Sequence, residues 1–87
     1  MDEVSQTLKE RNKRYGSFEE MAGTLKKLKD VIRASPNWHL LSAAQQSALD
    51  EISMKIARIL HGDPNYKDNW HDVEGYAKLI SDTLGDE

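Results

Sequence analysis

Three breaks cut this chain into four stretches, and each stretch repeats its apolar residues at helical spacing. The breaks are Gly16-Ser17, Ser35-Pro36-Asn37 and Gly62-Asp63-Pro64. Glycine readily adopts the backbone angles that end a helix. Proline removes a backbone donor and restrains the residue before it. A chain punctuated in this way can form helices between the breaks but not one long helix through them.

The first stretch predicts a helix over Glu3–Tyr15. Its apolar positions are sparse, Val4, Leu8 and Tyr15, so it should lie at the periphery. Gly16 is expected to end it. Ser17-Phe18-Glu19-Glu20 then reads as a capping box. The second helix should run over 18–34, with Phe18, Met21, Leu25, Leu28 and Ile32 on one stripe. Trp38, Leu40 and Leu41 are expected to fold back as a hydrophobic plug, and Trp38 has a binding role as its alternative.

Ser42-Ala43-Ala44-Gln45 reads as a second capping box, opening a helix over 43–61. Leu49, Ile52, Ile56, Ile59 and Leu60 form its apolar face, and this segment is the expected core. Met54 falls opposite that face and could contact a second copy or a partner. After an Asp63-Pro64-Asn65-Tyr66 turn, Asp68 or Asn69 can cap a fourth helix over 69–84. Its expected core face is Val73, Tyr76, Ala77, Ile80 and Leu84. Gly75 interrupts this helix, and close backbone approach to the first or third helix is the expected reason. No strand pattern appears. The fold class is therefore all-α, a compact bundle or array of about four helices in a single domain spanning 1–87.

Composition narrows the function classes. The chain has 87 residues and no cysteine, so neither a disulfide nor a thiolate metal site is available. A net charge of −3 argues against non-specific nucleic-acid binding. The bases Lys9, Arg11, Lys13 and Arg14, with Lys26, Lys27 and Lys29, are the only grouping that would support it. No apolar run reaches the roughly 20 residues of a membrane-spanning helix. The acidic, polar start MDEVSQTLKE does not read as a signal peptide. The expected location is cytoplasmic.

One constellation stands apart from packing. Glu51, Lys55 and Arg58 fall at i, i+4 and i+7 on the third helix, and Asp68 and Asp72 fall four apart near the fourth. Antiparallel packing would place Asp72 beside Lys55 or Arg58. The plain reading is an interhelical ion-pair cluster. The functional reading is a ligand-binding pocket of Lys55, Arg58, Asp68, Asp72 and Tyr76 for a small anion or nucleotide. There the bases would hold phosphate, and Tyr66 or Trp70 would offer a stacking face. His61 and His71 lack the spacing of a helical metal site, so no metal residues are assigned. No catalytic residues are assigned either, because nucleophile elbows and phosphate-binding loops are absent.

Three motifs carry a resemblance. They are Arg14-Tyr15-Gly16-Ser17-Phe18, Lys55-Ile56-Ala57-Arg58-Ile59-Leu60 with Gly62-Asp63-Pro64, and Asp68-Asn69-Trp70-His71-Asp72-Val73-Glu74-Gly75-Tyr76-Ala77. Together they resemble a family of small uncharacterised helical proteins of tailed bacteriophages and prophages. That resemblance implies a phage or prophage protein in a bacterial host and carries no established activity. The small, acidic, cysteine-free helical chain suits a non-enzymatic accessory protein with a host or phage protein as partner. A homodimer is compatible with so small a core. A weaker similarity reaches to all-helical nucleotide pyrophosphohydrolases of the MazG type, which hold magnesium with E-x-x-E and E-x-x-D motifs. Here Met54 follows Glu51 by three, Asn69 precedes Asp72 by three, and Lys55 and Arg58 occupy the face where acids would stand. This similarity implies, as the alternative function, a nucleotide-binding domain with a degenerate metal site. Magnesium would be its cofactor only if hydrolysis occurs.

Overall fold

The computed structural model describes residues 2–85. It is an all-α array of four α-helices, with a short 3-10 turn in the second connection: α1 Glu3–Tyr15, α2 Phe18–Ala34, η1 Trp38–Leu40, α3 Ala43–His61 and α4 Lys67–Ser81. Asp2 caps α1 by accepting from the Ser5 N–H at 2.8 Å. The Ser42–Gln45 capping box forms with both of its hydrogen bonds. The expected Ser17–Glu20 box does not form, because the Ser17 side chain makes no capping bond.

The fourth helix differs from its expected bounds at both ends. Tyr66, not Asp68 or Asn69, occupies its N-cap position. The Asp63 carboxylate accepts from the Asn65 N–H at 2.9 Å, and this turn starts the helix two residues early. At the other end the chain closes into turns after Ser81. The Thr83 and Leu84 N–H groups then donate three residues back, to Ile80 and Ser81.

α3 is the centre of the array. It packs against α2 on one side and α4 on the other, while α2 and α4 share no substantial interface. The α2 side of α3 is marked by Arg33–Asp50 at 3.0 Å and by the Thr24–His61 hydrogen bond. Ser53 and Ala57 lie between these two contacts at helical spacing. They are 1% and 0% exposed. Small side chains there let the two helices approach closely. The Ser53 hydroxyl satisfies itself on the Leu49 carbonyl at 2.7 Å.

Gly16 and Gly62 join the two helical corners. Gly16 has φ of 81°, which favours glycine, and a Cβ there would overlap the His61 carbonyl. A Cβ at Gly62 would overlap the Arg14 carbonyl. Between them the Asp63 N–H donates to that same Arg14 carbonyl at 2.9 Å. The α1–α2 corner is thus clasped, backbone to backbone, on the α3–α4 corner. Gly75 behaves differently from expectation. Nothing lies within 4 Å of where its Cβ would stand, so no close helix approach accounts for it.

The main correction concerns the core. The apolar stripe of α3 is not buried: Leu49 and Ile56 are each 38% exposed, and Leu60 is 63% exposed. Phe18, Leu40 and Leu84 are also exposed, and the plug contributes only half-buried Trp38 and Leu41. Met54 is half-buried instead of solvent-facing. Among the described residues the buried apolar side chains are Met21, Ala48 and Ala57 alone. A single layer of helices has two broad faces, and one chain this short covers neither completely.

Candidate functional site

The charged constellation forms on the α3–α4 interface. Lys55, 9% exposed, reaches across to Asp72, with Nζ 2.9 Å from Oδ2. That hydrogen bond holds the Asp72 carboxyl below its ordinary range, with smaller pulls from His71 and Arg58. The Lys55–Asp72 pair ties α3 to α4 across their interface.

The five residues expected to share a pocket divide between neighbouring places. Lys55 and Asp72 pair directly. Asp72 and Tyr76 line a shallow hollow with His71, Gly75 and Leu79. Arg58 turns toward α1 and stacks on Tyr15, its guanidinium carbon 4.3 Å from the ring centre. Asp68 accepts from the Tyr66 hydroxyl at 3.1 Å, and this bond pushes the Tyr66 phenol above its ordinary value. Tyr66 in turn meets Tyr15 edge to face at 6.0 Å and lies under Arg14. Trp70 ties its indole N–H to the Pro64 carbonyl at 2.7 Å and stays half exposed. Among the described residues no three His, Asp or Glu side chains converge on a point where a metal ion could sit.

Two donors in this region lack acceptors. Arg58 Nε and Asn69 Nδ2 are both buried and unpaired, and Asn69 is only 2% exposed. Sequence reasoning treated Asn69 as a cap candidate and did not place Tyr15 in the constellation. The buried Asn has a legible signal after the fact: it sits at i−3 to Asp72 and i−4 to Val73, on the face that meets α3.

The second feature is an open apolar trough between α3 and α4, at the end remote from the Gly62–Tyr66 connection. It encloses about 340 Å³. Leu41, Ala48, Leu49 and Ile52 form one wall, and Tyr76 and Ile80 face them from α4. None of its lining residues carries a charge. These residues were expected as core, and periodicity alone could not distinguish a stripe that is covered by its own chain from one that is not.

A single helical layer with an ion-paired lysine between two helices and an uncovered apolar trough defines a small all-α domain. The chain belongs to the family described as domain of unknown function DUF6378, which matches residues 1–84. No match was found among curated proteins or among solved structures. No helix among the described residues is long and apolar enough to cross a membrane.

Proposed function

We propose that this chain is a protein-interaction domain, not an enzyme, and that its working surface is the trough between α3 and α4. One observation supports the reading above others: Leu49 and Leu84 stand exposed beside an uncharged apolar trough between α3 and α4. Apolar patches of this kind on a small protein mark interaction surfaces. A trough between two antiparallel helices has the shape that a further helix fills. The motif resemblance supports a phage or prophage source, with a phage or host protein, or another copy, as partner. A photo-reactive benzoylphenylalanine in place of Leu49 tests this in cells. A discrete cross-linked adduct is expected, and none from the same group in place of Lys29. Absence of any adduct from position 49 would sink the interaction reading.

A second reading, binding of a small anion such as a nucleotide, is favoured by two unpaired buried donors, Arg58 Nε and Asn69 Nδ2. A phosphate oxygen could satisfy such a donor, with Arg58 swinging from Tyr15 to join Lys55, while Asp68, Asp72 and Tyr76 keep the neighbouring places described above. Thermal unfolding with nucleoside mono-, di- and triphosphates, with and without magnesium, checks it. Binding should raise the melting temperature of the wild type and not of Arg58→Ala. No shift with any nucleotide at millimolar concentration removes this reading.

A further inference from the structure

We infer that the trough is filled by the same face of a second copy of this chain. The result is a twofold dimer in which two α3–α4 pairs make one intermolecular four-helix bundle. This rests on the interaction reading above and names its partner.

The first argument is area. The chain exposes 6520 Å². A monomer of 9.9 kDa is expected to expose about 5200 Å². The excess, about 1300 Å² per copy, exceeds the roughly 800 Å² per partner of a standard stable interface and falls in the range of homodimers. Shape agrees: the radius of gyration is 15.3 Å, against about 12 Å for a folded chain of this length. Part of this surplus belongs to α1, which buries no residue, and the remainder is still of the order that one more interface would cover.

The second argument is chemistry. A net charge of −3 disfavours self-association wherever charges would meet. The trough lining is uncharged, so two copies can pair there without opposing like charges. Leu49 and Leu84 stand on its rim, 38% and 57% exposed. In a twofold interface each rim side chain meets the partner's trough, and the contact is reciprocated. Two antiparallel helices with one shared apolar face are half of a four-helix bundle, and a second identical half completes it.

Sedimentation velocity and light scattering on the purified chain test the inference. The expected mass is twice the 9.9 kDa chain, and it should persist in high salt because the interface is apolar. Leu49→Lys should weaken the dimer by about a hundredfold or more, since it buries an unpaired charge. Val31→Lys, on α2 outside the trough, should leave it intact. If Leu49→Lys fails to fold, the wild type still decides. Its melting temperature should rise with protein concentration, as it does when folding and association are linked. A monomer whose melting temperature is independent of concentration overturns the inference. So does a dimer broken by Val31→Lys and not by Leu49→Lys. In the cross-linking experiment, an adduct of twice the chain mass supports it. A heterologous adduct alone, with a monomeric purified chain, overturns the second copy and leaves the interaction reading standing.

Discussion

Lys55 carries a charge at 9% exposure, and its acidic partner Asp72 keeps 43% of its side chain in contact with solvent. The pair is therefore asymmetric. Asp72 is screened by water, whereas Lys55 depends on Asp72 for compensation. Removing Asp72 leaves a nearly buried cation without its partner. The pH dependence follows from the direction of the Asp72 shift. Its folded value lies below the ordinary 3.8. The stability it contributes is thus fully present above that value and is lost as pH falls through the lower, folded one. Asp72→Asn should unfold at lower urea than the wild type at pH 7. The gap should narrow as pH drops below 3.8. Urea midpoints measured across the acid range check this, and a gap constant with pH would contradict it. That Asp72 would lie beside Lys55 or Arg58 was legible from helical spacing and antiparallel packing, and the structure selects Lys55. The turning of Arg58 onto Tyr15 was not, since it depends on where α1 lies.

Among the elements, the corners hold the array and the helix faces are left partly uncovered. Gly16 and Gly62 meet where two backbones touch, so neither position has room for a side chain. Gly75 lies mid-helix in open space. Opposite outcomes follow for the same substitution. Gly62→Ala should destabilise by about 1–3 kcal/mol, because the Arg14 carbonyl must be displaced. Gly75→Ala should stabilise by about 0.5–1 kcal/mol, because it only removes the backbone-entropy cost of glycine in a helix. Chemical denaturation of the two variants beside the wild type measures both. The breaks at Gly16 and Gly62 were visible as helix ends. That they touch each other was not, because a close approach between residues 46 positions apart leaves no local pattern.

At the scale of the molecule, α3 is the central helix, yet three of its large apolar side chains, Leu49, Ile56 and Leu60, are exposed. These two facts are compatible because α3 uses small residues, Ser53 and Ala57, toward α2 and places its larger ones toward open space. A monomer would leave Leu49, Ile56 and Leu60 facing water, and the dimer inferred above covers the trough that Leu49 and Leu84 rim. That arrangement makes stability a function of concentration, so the chain's melting temperature reports on its assembly as well as its fold.

By itself the sequence determined the all-α class, the bounds of the first three helices and the Ser42 capping box. Each of these follows from spacing within a helix or from chemistry at its ends, which act over a few residues. Only the tertiary structure decided which apolar stripe is covered, where the two glycine corners meet, and that Asn69 and Arg58 present buried donors. Those outcomes depend on how many helix faces one short chain can cover at once, and helical periodicity reports a face without reporting what lies against it.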